Sequence, residues 1–503
     1  MFLLRFLQSK QNKQNKEEPQ ETIQEGLQRL ERNSNDFTKK AVFTPYGKVY
    51  AYYFDTLIEE DYYQQNILLP LKEKEWRDYK DIANIVSTEE TLEASQFSDI
   101  QKLLLEGYVF LQRTEGETKG LLLSSPSVVE RDVGVPEVEF SVAGPQEAFV
   151  ETLETNIHLL RKRIPLSNLC IKEIEVGSVT QTKVAVIYLD GVADKENVNT
   201  VIQRITELET DQVLDSNNLA QMIQDHTYSI FPQFINTERP DRAAAAITEG
   251  KVIFISNGSP EAIVAPSTLI EFFSSLEDYY LPWQIASFVR LLRFMAVAFS
   301  ILATPIYVAV LTYHYEMIPE DLLITLVLSR ANIPFPPIIE ALFLELTIEL
   351  LREAGARLPT KVGQTIGIVG GIVIGQASVE AGLLSNILLI IVALAALASF
   401  TTPVYQMGNT IRIIRFPYLI AATMLGGLGI VICVLFTFVH LIKLNSLGRP
   451  YLAPFYPLRF QDWKDAFIRL PFNTFTSRPV HSRTISAKRV PFQKAVQKKD
   501  IDE

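Results

Sequence analysis

The sequence predicts a multidomain protein in which a cytoplasmic α+β N-terminal region of two small subdomains precedes an α-helical integral membrane domain with a broken or re-entrant Gly-rich helix. Three observations predict it. The 503-residue chain has a net charge of −11, yet its acids concentrate before about residue 281, and the stretch after Leu441 has more Lys and Arg than acids. Strand-like alternation and amphipathic spacing fill the acidic half, whereas long apolar runs fill residues 281–442. One of those runs, residues 363–377 (GQTIGIVGGIVIGQA), carries an unusual amount of glycine and two amides.

Residues 1–36 are dominated by Gln, Lys, Glu and Asn, so a disordered or partly helical arm is expected, with helix over 21–32. The apolar start MFLLRFL is broken by Arg5 and soon becomes polar, so no secretory leader is expected and the N-terminus is placed in the cytoplasm. The first soluble α/β subdomain is assigned to 37–135, where TLEASQFSDIQKLLLEGYVFLQR reads as helix then strand. A turn at Glu115 and Gly116 leads to a second strand, KGLLLSS. In the second soluble α/β subdomain, 136–280, Phe149, Leu153, Ile157 and Leu160 recur at helical spacing. CIKEIEVGSV and KVAVIYLDG then alternate as paired strands, and KENVNTVIQRITEL returns to helix. In FPQFINTERPDRAAAAITEGKVIFISNG, Pro240 suits a first helical turn, Thr237 is a candidate cap and Gly250 a stop. Asn236, Thr237, Glu238, Arg239, Pro240 and Asp241 thus form either a helix-starting turn or a coupling or interface loop.

Five apolar candidates occupy the helical transmembrane domain, 281–442. The run 286–314 is long enough to span, because about 20 residues cross the hydrocarbon, and Arg290 and Arg293 put its start on the cytoplasmic side. Pro305 should kink it. The second, 322–355, is interrupted by Arg330, Pro334, Pro336 and Pro337, and its second half places Glu345, Glu349 and Glu353 on one helical side. The third is the glycine-rich run. The fourth, 383–400, and the fifth, 416–442, read as ordinary spanning helices. With both termini on one side, as the basic cytoplasmic tail 443–503 suggests, five candidates leave at least one that does not cross.

Gly363, Gly367, Gly371 and Gly375 recur every fourth residue, which gives a close-packing strip of the GxxxG kind. The functional alternative is a pore or gate, in which these glycines and Gly370 let neighbouring subunits approach while Gln364, Thr365 and Gln376 offer polar atoms to ions. Glu340, Glu345, Glu349 and Glu353 attract cations if they ring a vestibule; otherwise they pair with Arg330, Arg352 or Arg357. There is no Walker lysine loop, G-x-S-x-G elbow or H-E-x-x-H, and the five histidines are scattered, so neither an enzyme nor a metal or cofactor site is expected. Cys170 and Cys433, far apart in the chain, fit a reducing compartment.

SIFPQFINTERPD, NIPFPPIIEALFLELTIELLREAGARLP and GQTIGIVGGIVIGQA, in this order, resemble the A subunit of the GerA family of spore germinant receptors. GPQEAFVETLETNIHLLRKRI, ALASFTTPVYQMG and the IRLP at 468–471 are similar to further stretches of that family, and the likeness covers roughly 90–471. The resemblance implies an integral protein of the spore inner membrane with a cytoplasmic N-terminal domain. It implies partnership with a transporter-like B subunit and a lipoprotein C subunit, and homo-oligomers, as pentamers, forming a nutrient-gated channel for monovalent cations. Membrane lipid is then a partner and nucleic acid is not. Alternatives are the paralogous spore membrane protein that enhances ion release, a solute transporter, or a signalling scaffold. A single glycine-broken region weighs against a transporter built from inverted repeats.

Overall fold

The computed structural model describes residues 22–88, 90–125, 134–136, 139, 141–357 and 375–489. Its acidic half contains two five-stranded antiparallel sheets, each covered by helices on both faces. The first has the order β1-β2-β4-β5-β3, with β1 Phe37–Thr44, β2 Gly47–Phe54, β3 Thr91–Ala94, β4 Tyr108–Gln112 and β5 Gly120–Ser124. Alternate residues of β2 and β4 serve opposite faces, as the two-residue period of a strand requires. Val49, Ala51, Val109 and Leu111 meet Ile67, Leu71 and Ile82, the last from α2 (Tyr79–Ile85). Tyr52, Phe54 and Phe110 meet α1 (Ile23–Asn33) and α3 (Phe97–Leu105).

Two expectations change here. TLEA, read as helix, is the edge strand β3, paired to β5. The helix expected over 21–32 forms at Ile23–Asn33, and what changes is that it is docked: Ile23, Leu27 and Leu30 fall on one face and are buried, and Thr22 and Glu25 form a capping box at its start.

The second sheet has the order β6-β7-β9-β10-β8, with β6 Leu169–Val176, β7 Thr182–Leu189, β8 Ile235–Thr237, β9 Val252–Ser256 and β10 Ala262–Ala265. One face packs on α4 (Leu153–Arg163) and α7 (Pro240–Thr248), the other on α5 (Lys195–Thr206) and α6 (Ser216–Ile223). The two sheets are clamped by Arg161 of α4, which donates to Asp36 at 2.6 and 2.7 Å and stacks on Phe54 at 4.3 Å. Both charged side chains are at most 2 % exposed, so neither tolerates loss of the other.

The helical domain comprises α8 (Trp283–Tyr313), α9 (Glu320–Arg330), α10 (Pro337–Arg357), α11 (Asn386–Ser399), α12 (Tyr405–Leu425) and α13 (Gly427–Lys443). Among the described residues only α8 is long and apolar enough to cross a membrane by itself; α11 and α13 are shorter apolar helices. Helix α8 is assigned continuously across Pro305, and the prolines before α10 separate it from α9 as expected. The fifth candidate is not one spanning helix. Gly426, at φ +61° and ψ −140°, ends α12 and starts α13, and the two pack as an antiparallel hairpin. The run looks continuous because its composition is uniformly apolar, but only glycine readily adopts that backbone conformation.

Tyr313 of α8 donates to the carbonyl of Thr423 at 2.9 Å, and the Gly427 amide donates to His314 at 3.1 Å, so α8 and α12 end together. Their other ends meet the second sheet's loops, through Arg293 to the Phe273 carbonyl (2.6 Å) and Thr410 to the Ile230 carbonyl (2.6 Å). Beyond α13 the chain folds back over the second sheet, burying Ser446, Tyr451 and Arg469.

Candidate functional site

Three helices of this domain converge on one buried polar cluster. Glu345 of α10 forms an ion pair with Arg415 of α12, Thr304 of α8 donates to Glu345 Oε1 at 2.9 Å, and Arg415 Nη2 donates to Ser300 of α8 at 3.0 Å. A charge so enclosed persists only when paired and hydrogen-bonded, and here two hydroxyls of α8 supplement the pair. One turn on, Glu349 faces Arg352 at 3.2 Å and Arg412 at 3.8 Å. Three guanidiniums therefore surround two carboxylates. Arg352 also stacks on Phe400 at 4.7 Å, which ties α10 to the end of α11.

The four acids on α10 differ in environment despite their regular spacing. Glu340 is buried against Arg330 (2.7 Å) and accepts from the Ser385 amide (3.2 Å), whereas Glu353 is exposed and pairs with Arg357 at 2.5 Å. Gly363, Gln364, Thr365, Gly367, Gly370 and Gly371 lie outside the described residues. Gly375 faces Leu389 of α11, where an added Cβ would sit 3.7 Å from the Leu side chain, and Gln376 donates to Glu380 at 2.9 Å.

The segment 236–241 joins β8 to α7 with Pro240 at the helix start, and its polar groups point inward. Asn236 donates to Glu261 (3.1 Å), Thr237 donates to Glu139 (2.5 Å), and the Glu238 carbonyl accepts from the Phe149 amide (2.7 Å). Arg239 grips Asp241 with two bonds of 3.0 and 2.8 Å, and Tyr280 donates to the same carboxylate at 3.1 Å. Because Tyr280 lies just before α8, this turn is a strut between the second sheet and the first long helix. At the start of α8, Arg290 and Arg293 converge on the buried Asp278, and Arg290 also reaches Asp465 at 2.8 Å.

Residues 23–481 match the Bacillus/Clostridium GerA spore germination protein family. The chain belongs to this family. It is 49% identical to spore germination protein GerQA of Bacillus cereus, over 95% of this chain and 97% of that protein. It is 45% identical to spore germination protein GerIA of Bacillus cereus, over 93% of this chain and 70% of that protein. The crystal structure of the N-terminal domain of the A subunit of the Bacillus megaterium spore germinant receptor GerK3 aligns with 48% of this chain and 92% of its own, at 22% identity and a TM-score of 0.36.

Two features of this GerA-family chain escape sequence reasoning. Arg415 of α12 is the partner of Glu345, 70 positions away, and no local spacing marks that pairing. A cavity of about 370 Å³ between the second sheet and the C-terminal segment is lined by Arg242, Glu249, Lys251, Glu271, Asp465 and His481. Burial alone would push the Glu271 carboxyl up, but the Lys251 ammonium and His481 reverse this and hold it well below the usual carboxylate range. Among the described residues no three His, Cys, Asp or Glu side chains gather as a metal site.

Proposed function

We propose that this GerA-family protein is the A subunit of a spore germinant receptor, an integral protein of the spore inner membrane with its N-terminal region in the cytoplasm. It acts with a transporter-like B subunit and a lipoprotein C subunit, and its copies assemble, as pentamers, around a nutrient-gated path for monovalent cations. The membrane reading is supported by the outward side chains of the helical domain: Phe288, Leu292 and Met295 of α8 and Leu435, Phe436 and Phe438 of α13 are exposed, an arrangement that needs an apolar solvent.

The observation that carries the gating part is the Glu345–Arg415 pair bridging α10 and α12 with hydroxyls of α8. Such a cluster has two states, latched and released. In the latched state the carboxylates of α10 are neutralised; separation of α10 from α12 would free Glu345 and Glu349 to attract cations toward the glycine-rich run. The segment 236–241 would transmit movement of the soluble sheets to α8.

A bulky substitution, Gly371→Leu, tests the conduction path in spores. Germinant-triggered potassium release should be abolished or altered while the protein stays in the membrane; normal release with normal assembly would sink the assignment.

A further inference from the structure

The loop before β8 carries a feature that neither the latch nor the strut uses. Tyr228 is the most exposed aromatic side chain among the described residues, at 102 %, and Ile230 is exposed at 48 %. This is not a loose loop. The His226 amide donates to Gln233 at 3.0 Å and Gln233 donates back to the His226 carbonyl at 2.7 Å, closing its base, and Tyr451 donates to the Pro232 carbonyl at 2.8 Å.

It is also fastened to the helical domain. Ser229 and His440 of α13 share a hydrogen bond of 3.0 Å, the Phe231 ring lies 5.8 Å from the His440 ring, and Thr410 of α12 donates to the Ile230 carbonyl at 2.6 Å. One helical turn from His440, Phe436 is 76 % exposed on the apolar outer surface of α13. Tyr405, at the start of α12, is exposed on the same end of the domain. Tyr228 and Ile230 therefore continue the rim of an apolar band.

We propose that residues 226–231 form a lipid-docking loop, with Tyr228 and Ile230 entering the boundary between headgroups and acyl chains beside α13. The inference rests on the membrane reading above. An amphipathic tyrosine beside an aliphatic side chain suits that boundary, where the ring is buried and the hydroxyl stays wet. The segment 226–235 holds no Lys, Arg, Asp or Glu, and the preceding Asp225 is committed to Arg204 at 2.6 Å. The loop therefore engages the bilayer by apolar insertion and needs no anionic lipid. Since β8 follows directly at Ile235, docking fixes the height of the 236–241 strut above the membrane.

The full-length protein, with Cys433→Ala and the buried Cys170 retained, is reconstituted in phosphatidylcholine vesicles. A nitroxide is placed in turn at Tyr228→Cys, Phe436→Cys and Val179→Cys, the last a water-facing reference that is 77 % exposed. Collisions with oxygen and with a water-soluble nickel chelate are compared. The oxygen-to-nickel ratio at 228 should exceed that at 179 and fall below that at 436. If 436 lies in lipid while 228 matches 179, or is shielded from both reagents as a protein contact would be, the docking proposal is overturned and the membrane reading stands. If 436 also matches 179, both fall.

Discussion

At the scale of single residues, the helical domain depends on a charge pair that hydrophobic packing alone would not create. Replacing Arg415 by Ala leaves Glu345 buried without its cation, and breaking a buried pair from one side costs about 3–5 kcal/mol. The apolar double replacement Arg415→Met with Glu345→Leu removes both charges, so it should recover most of that loss. Thermal unfolding of the purified full-length protein in detergent separates the cases: an equally large loss in the double variant would show that packing, not charge, is at stake. Potassium release should fail in the double variant even if stability returns, because the latch has lost its releasable charge. Thr304 and Ser300 make this site specific, since they hold the pair against α8 at hydrogen-bonding distance.

At the scale of elements, the α12–α13 hairpin rests on one backbone conformation. Gly426 has a positive φ, and a Cβ there would come within 2.9 Å of His314 Nε2 and 3.0 Å of the Tyr313 side chain. Gly426→Val therefore combines strain of about 1–3 kcal/mol with a clash against the end of α8. At the neighbouring Gly427 the nearest contact is the looser 3.3 Å to His314, and no positive φ applies. Gly426→Val should lower the melting temperature well below that of Gly427→Ala; equal losses would argue against the hairpin. The element scale also explains why α10 misleads by sequence: regular i, i+4 spacing puts its acids on one stripe, but the stripe runs from the buried Glu345 to the exposed Glu353.

At the scale of the whole molecule, the C-terminal segment closes over the second sheet, and ion pairs fasten it. Glu271 receives Lys251 from its own domain and His481 from the C-terminal segment at 2.9 Å. Its folded-state carboxyl lies below the unfolded one, which titrates near about 4.3. The stabilisation is thus fully present above that pH and is lost as pH falls from there toward the folded value. Protease release of the C-terminal segment should accelerate through this acid window, and Glu271→Gln should flatten the response; an unchanged pH profile in that variant would rule the carboxylate out as the fastener. Much of the architecture was legible beforehand. The spacing of Leu153, Ile157 and Leu160 marks α4, although Phe149, expected on the same helix, lies before its start; the alternation at 169–189 marks the β6–β7 pair, and Pro240 marks the start of α7, because each signal lies within a few residues of its element. The acids of α10 and the 236–241 turn were legible as unusual residues, but their partners were not. The sequence by itself determined the order of acidic α+β and apolar helical parts, most helices and strands, and the family, since these follow from local periodicity, composition and motifs. Only the tertiary structure decided that Glu345 meets Arg415, that Arg161 clamps the two sheets through Asp36, and that the last apolar run folds into a hairpin. Those outcomes depend on which distant surfaces exclude water together, and local spacing does not encode that.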